Sequence, residues 1–290
     1  MASPVVNRRT PAARAWSPQR VYLLLSIFPI SFFGLFLLWP MARVIVRSFL
    51  EPSPGLQNFV HIATMGPYVA VFGATLQIAA AVTLICLVIA YPFAYLASRL
   101  HGVAFKIYIG LVLIPLWTSV VVRSFAWMVL FQRNGVINDA LMWMNLIDQP
   151  IRLLQTPLSV GVGMVHIMLP FMILPIVTSM RSVDPVLIRA GAILGASPLR
   201  LFFRVYLPLT LPGVTAGILL VFIGSLGFYI TPALLGGARS TMIAVLIRQQ
   251  ASEMLNWPLA SALSTTLLVV TLLFFVAFTR LTRRFNEALG

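Results

Sequence analysis

Six stretches of this chain, each long enough to cross a bilayer, are almost free of charge. A transmembrane helix needs about 20 mostly apolar residues at a rise of about 1.5 Å each. Residues 21–42 carry no charge, and neither do residues 52–98, whose densest apolar part is Leu76 to Leu96. A third window, 107–130, is interrupted only by Arg123; the remaining three lie within 153–180, 205–238 and 254–279. The rest of the composition agrees, with 60% hydrophobic residues, 9% charged residues and a mean hydropathy of +0.99. Soluble domains carry about 25% charge, and so little polar surface could not cover a core of this size in water. An ordinary cytosolic enzyme and a disordered chain are both excluded. The expectation is an all-α polytopic membrane protein with six spans.

The charges give the spans a direction. With the N-terminus inside, the cytoplasmic segments hold 13 of the 20 basic residues: Arg8, Arg9, Arg14, Arg20, Arg99, Lys106, Arg181, Arg189, Arg200, Arg204, Arg280, Arg283 and Arg284. Six more, Arg43, Arg47, Arg133, Arg152, Arg239 and Arg248, fall on the other side together with four of the six acids. Positive charge collects on the cytoplasmic side of membrane proteins, so both termini are expected in the cytoplasm. Nucleic-acid binding would place the same charge on one soluble face. The Arg8–Arg9 pair resembles an export signal, but the apolar run behind it outlasts an h-region, ends in Trp39-Pro40 and has no small-x-small cleavage site. It is expected to be a retained anchor helix. Residues 1–20 form a basic tail, and residues 21–290 a single transmembrane domain.

The most informative segment is the cytoplasmic loop 181–208. Asp184-Pro185 can cap and start a short helix, and Gly195 can stop it in a left-handed conformation. Ser197-Pro198 repeats the cap and start, and Pro208 is expected to close this second helix. Val186, Leu187, Ile188, Ala190, Ile193 and Leu194 make the elbow more apolar than one lipid-resting face requires, while Gly191, Ala192 and Ala196 permit close approach. Two readings stand: an interfacial amphipathic helix, or a helix that docks into a groove on a soluble partner.

That loop resembles the one found in permease subunits of binding-protein-dependent ABC importers, whose pattern is Glu-Ala-Ala, three residues, Gly, nine residues, Ile-x-Leu-Pro. Here it reads Arg189-Ala190-Gly191, then Gly195, Ala196, Ser197, Pro198, then Val205-Tyr206-Leu207-Pro208, with both spacings intact. Arg189 stands where the family has an acid, and Gly191 where it has its second Ala. Further matching text includes Tyr91-Pro92-Phe93, Leu113-Ile114-Pro115 with Trp117, Arg123 and Trp127, Arg133-Asn134-Gly135, Leu169-Pro170-Phe171, and Thr231-Pro232 with Gly236-Gly237. These are similar to the spermidine/putrescine-type branch.

The resemblance implies a type I ABC importer permease fold, with a helix–Gly–helix coupling elbow, in the bacterial inner membrane. It implies a second permease subunit, an ATPase dimer on the elbow, and a periplasmic or extracellular substrate-binding protein. ATP and Mg would be bound by the ATPase, and this chain would need no cofactor of its own. The coupling residues would be Arg189, Ala190, Gly191, Gly195, Ala196, Ser197, Pro198, Leu207 and Pro208. The solute would be a small polyamine-like amine, or alternatively an amino-acid-like, opine or anionic compound.

The residues themselves are consistent with transport. A charge at mid-membrane is costly, so Arg123 should face protein or water. It could bind an anion, gate against a second permease, or pair with a helix-end carbonyl. Trp117, Trp127, Phe228 and Tyr229 offer cation–π faces, although aromatics near the outer interface also serve as belt anchors. With Thr231 they complete the candidate pathway. His61, His101 and His166 are too scattered for a metal site, and His166 is expected to be a satisfied packing residue. Cys86 is single, which excludes an intrachain disulfide. There is no phosphate-cradling Gly-Lys loop for ATP hydrolysis. Prolines 29, 92, 115, 170 and 175 predict kinks, and the Pro232–Gly237 region a helix end or re-entrant turn. An ATP-independent carrier and an intramembrane enzyme are the competing classes. Neither needs a docking elbow, and no Asp or Glu lies in a span to serve an enzyme.

Overall fold

The computed structural model describes residues 18–289, with side chains from Ser26 to Arg283. The tail arginines Arg8, Arg9 and Arg14, and the Arg284 side chain, lie outside the described residues. In chain order the helices begin with α1 (Pro18–Phe33), joined through a π-helical turn at Gly34–Leu38 to α2 (Trp39–Leu50). Then come α3 (Gln57–Thr64), α4 (Gly66–Arg99), α5 (Gly102–Trp117), α6 (Val120–Leu130) and α7 (Val136–Trp143). α8 (Pro157–Arg181), α9 (Pro185–Ile193), α10 (Pro198–Leu201) and α11 (Leu207–Leu226) follow, then α12 (Ile230–Leu235), α13 (Ile243–Arg248) and α14 (Trp257–Leu289). No strand occurs among the described residues.

Five continuous helical runs have the length and composition of spans: Ser26–Leu50, Gly66–Arg99, Pro157–Arg181, Pro198–Leu226 and Trp257–Arg283. The sixth, expected at 107–130, falls on the pair α5 and α6, which is bent by 90° at its break and makes a sixth span only where the two helices are counted as one. The first span also runs further than the charge-free window, to Leu50. Arg43 and Arg47 therefore lie in its last turns, where Arg47 Nε donates to Glu51 at 2.6 Å. A paired arginine at a helix end can reach the headgroup region, so the extension costs little.

The core sits between α4, α8 and α11. Val82, Cys86, Met164, Met172, Ile176 and Val221 are fully enclosed there. Lipid provides no hydrophobic drive between helices, so association depends on close backbone approach and interhelical hydrogen bonds. Small residues supply the first: Ala90, Ala94 and Ala97 on α4, and Gly213 and Gly217 on α11. A Cβ at Gly217 would lie 2.7 Å from Met172 Sδ and 3.2 Å from the Met172 carbonyl oxygen. The hydroxyls of Tyr91 and Thr210, 3.1 Å apart, and of Ser98 and Tyr206, 3.4 Å apart, supply the second.

At the opposite end, Ser159 Oγ donates to the Leu235 carbonyl at 2.9 Å, and the Ile243 N–H donates to Thr75 Oγ1 at 2.9 Å. A second apolar cluster, built on Ile62, Ile243, Leu259 and Leu263, closes that end. The first span lies outside this core, and its 18-residue apolar window contains no buried residue.

Candidate functional site

Two arrangements gather the residues singled out in the sequence. The first is the elbow. Asp184 Oδ1 accepts the Val186 N–H at 2.8 Å and starts α9. Gly195 then takes φ +82°, with its N–H on the Ala192 carbonyl (3.0 Å) and the Ala196 N–H on the Gly191 carbonyl (3.1 Å). These two bonds form a Schellman stop, which consumes carbonyls a helix end would otherwise leave orphaned. Ser197 Oγ accepts the Arg200 N–H at 3.4 Å, so the second cap is also present. Gly191 has a steric role of its own, since a Cβ there would run into Leu201 Cδ2.

The elbow departs from expectation at its end. Pro208 does not close the second helix. α10 passes through a π-helical turn, Phe202–Tyr206, directly into α11, so 198–226 is one helical run. The wider turn puts Leu207 N–H on the Phe202 carbonyl and leaves Pro208 at the first turn of α11, where no donor is required. Leu207 and Pro208 are consequently half-buried at the junction, away from the exposed tip. That tip is Ile193 and Leu194, 86% and 87% exposed, flanked by exposed Arg189, Ala190, Ser197 and Pro198.

The second arrangement lies where α6, α8 and α12 meet. Arg123 is buried and its Nη2 donates to the Thr118 carbonyl at 3.3 Å, while Nε and Nη1 have no partner among the described residues. The helix-end pairing is thus the one present, a cation on the last carbonyls of α5 across the 90° break. One turn further along α6, Trp127 stacks on Phe131 and donates Nε1–H to His166 Nδ1 at 3.0 Å. Beside Arg123, the hydroxyls of Ser124 and Thr231 are 2.9 Å apart and buried. Gly163 leaves room for this contact, since a Cβ there would meet Leu235 Cδ1 at 2.6 Å and Thr231 Cγ2 at 2.8 Å.

Arg123, Trp127 and Thr231 therefore converge, whereas the other candidates do not. Trp117 is 77% exposed at the end of α5. Phe228 packs against the main core, and Tyr229 lies under Arg248, whose guanidinium carbon is 5.4 Å from the ring centroid. His166 is a packing residue with its ring satisfied, since Nδ1 accepts from Trp127. The helix ends at Leu226 and the short helix α12 follows from Ile230, so the helix end that the proline and glycine density predicts is present. No group of three or more His, Cys, Asp or Glu side chains able to hold a metal occurs among the described residues.

Comparison with known proteins bears on both arrangements. The family described as "binding-protein-dependent transport system inner membrane component" matches residues 90–287, which include α6, α8, α12 and the whole elbow. The chain belongs to this family. It is 34% identical over 262 residues to the spermidine/putrescine transport system permease protein PotB of Escherichia coli (strain K12), covering 87% of this chain and 94% of the relative. The PotB of Haemophilus influenzae is 34% identical over 261 residues, covering 87% and 91%. Among solved structures, a bacterial alginate ABC transporter in complex with its pentasaccharide-bound periplasmic protein matches with a TM-score of 0.76 at 19% identity, covering 93% of this chain and 96% of that one.

As a member of the family, the chain is a multi-pass bacterial inner-membrane protein and a permease subunit of an ABC importer, with ATP hydrolysis in a separate subunit. Transport through it depends on a binding protein.

Proposed function

We propose that this permease forms half of a translocation path for a small polyamine-like amine. A second homologous permease completes the path, and a substrate-binding protein on the outer face delivers the solute. Loop 181–208 is the coupling element, gripped in the cytoplasm by an ATPase dimer that binds ATP and Mg. Arg189, Ala190, Gly191, Gly195, Ala196, Ser197 and Pro198 form the gripped surface, and Leu207 and Pro208 transmit its position to α11. Residues 21–290 act as one permease domain with both termini in the cytoplasm.

One observation supports this above the others: Ile193 and Leu194 are almost fully exposed on an elbow fixed by two side-chain caps and a Schellman stop. A rigid apolar tip suits a preformed groove, whereas a helix resting on lipid would need no such stop. The amine reading is supported by the PotB relatives. A second reading is supported by Arg123, whose two unpartnered donors would suit a zwitterionic or anionic solute.

Gentle solubilisation of the tagged chain from its native membrane tests the assembly. An ATPase and a second six-span permease should come with it, and a lone chain or an ATPase-free homo-oligomer would refute the coupling role. The binding protein encoded beside it should retain a polyamine in preference to an amino acid or an organic anion. Maleimide labelling of a cysteine placed at Leu194 in inside-out vesicles, but not in right-side-out ones, would agree with the orientation.

A further inference from the structure

Behind the elbow, on the side facing the bundle, is a cavity of about 380 Å³ that shares only Arg189 with the proposed coupling surface and that the translocation role does not explain. It is lined by the last residues of α4, the last turn of α8 and the inner face of α9. Its polar lining is Ser98, Arg99, His101, Arg181, Arg189 and Tyr206. No carboxylate belongs to this lining. Asp184, the nearest acid in sequence, is committed to the Val186 N–H.

The two ion pairs seen among the described residues, Arg47–Glu51 and Arg248–Glu253, are both at the other end of the molecule. Near the cavity the guanidinium groups have only neutral partners. Arg99 donates to Tyr95 Oη at 2.8 Å, and Arg181 donates to the Leu100 carbonyl at 3.2 Å while lying 3.9 Å from the Phe105 ring centroid. Arg189 has no hydrogen bond or ion pair among the described residues. An acid at position 189, as the family pattern has it, would place a carboxylate beside the other two arginines. The arginine found there instead gives three cations around one concavity.

We propose that this cavity is a phosphate-binding site, in which Arg99, Arg181 and Arg189 surround one phosphate group at the cytoplasmic surface of the membrane. Guanidinium forks match phosphate oxygens, and basic pockets between helix ends on this side of a membrane take phospholipid headgroups. The His101 ring shares this lining, while the Ser98 hydroxyl is taken up by the Tyr95 carbonyl and Tyr206 Oη, which leaves the three guanidinium groups as its donors. The phosphate comes from an anionic phospholipid headgroup or from a free phosphate compound. Either way it joins α9 to the ends of α4 and α8 and sets the angle of the elbow. The inference rests on the proposed cytoplasmic placement of the elbow. The test below does not read sidedness, so its failure would leave that placement standing.

The full-length permease, purified with its transporter subunits, is placed in nanodiscs of phosphatidylcholine with and without phosphatidylglycerol. Retained phosphatidylglycerol is counted by native mass spectrometry. Each of Arg99→Gln, Arg181→Gln and Arg189→Gln should lower its retention about fivefold, as expected for one cation at the headgroup surface. Arg133→Gln, at the other end, should leave it unchanged. Arginine-to-lysine variants replace any glutamine variant that does not assemble, and should keep part of the retention.

Inorganic phosphate added to pure phosphatidylcholine discs separates the sources. Thermal stabilisation of the wild type but not of the arginine variants, without phosphatidylglycerol selectivity, assigns the site to free phosphate. Equal behaviour of wild type and variants with both probes overturns the proposal. So does release of the ATPase by Arg189→Gln with lipid retention intact, which would make the cluster a protein contact.

Discussion

Trp127 Nε1 donates to His166 Nδ1 across 3.0 Å, joining α6 to α8 within the membrane. The indole can only donate, so Nδ1 of the imidazole must accept, and a neutral ring then carries its proton on Nε2. His166 is thereby held in one tautomer by a neighbour on another helix. Arg123 lies one turn earlier on α6. This end of the bundle thus contains a polar seam in which the Arg123 guanidinium and the Trp127 indole only donate, while the Thr118 carbonyl and His166 Nδ1 accept and the Ser124 and Thr231 hydroxyls pair with each other.

Trp127→Phe should retain the stacking on Phe131 but leave Nδ1 of His166 without its donor. The expected cost is about 1 kcal/mol, read as a lower thermal midpoint of the purified permease. His166→Phe combined with Trp127→Phe should recover part of the loss, because both polar partners are then gone. A double variant no better than the sum of the singles would show that the hydrogen bond contributes little.

Arg123→Met removes two unpartnered donors together with the charge on the last carbonyl of α5. Folding should be little affected, since a similarly sized apolar chain in place of a poorly satisfied buried charge is often neutral or stabilising. Solute uptake by the reconstituted importer should nevertheless fall at least tenfold, because the α5–α6 bend loses its pin. Full uptake with an unchanged midpoint would remove Arg123 from the pathway altogether.

Gly217→Ala forces a methyl group against Met172, including its backbone oxygen at 3.2 Å, and should destabilise the protein by about 1–3 kcal/mol. Gly224→Ala is the matched control on the same helix. Its nearest neighbour would be Met168 Sδ at 3.5 Å, an ordinary contact, so little change is expected. Thermal unfolding in one detergent compares the pair directly.

Leu194→Asp alters a side chain that is 87% exposed and should leave the thermal midpoint of the isolated permease unchanged. ATPase co-purification and uptake should both drop by more than tenfold. Gly195→Asp should likewise uncouple uptake while membrane insertion is retained, through the left-handed position that ends α9. Normal uptake in both variants would exclude the elbow as the docking surface.

Much of this organisation was legible in the sequence. Charge-free windows mark the spans, because no backbone or charge can be left unpaired in lipid. Asp184-Pro185, Gly195 and Ser197-Pro198 mark the elbow, because caps and stops are local chemistry. What escaped is non-local. Gly213 and Gly217 are spaced for close helix contact, a signal present in the sequence, but nothing local says that Met172 is their neighbour. Trp127 and His166 are 39 residues apart and meet only once α6 and α8 pack. Pro208 misleads for a subtler reason. A proline ordinarily ends a helix, but a π-helical turn just before it realigns the hydrogen bonds and lets the helix continue.

That continuity has a mechanical consequence. From Pro198 to Leu226 the 29-residue run contains no hinge loop, so the part of the elbow after Ser197 is the foot of a strut about 43 Å long. Tilting the foot by about 5° would carry the far end sideways by about 4 Å over such a length. The far end stops at Gly227, next to the short helix that holds Thr231 against Ser124. A push applied on one side of the membrane would be felt on the other as leverage rather than as slack taken up in a tether.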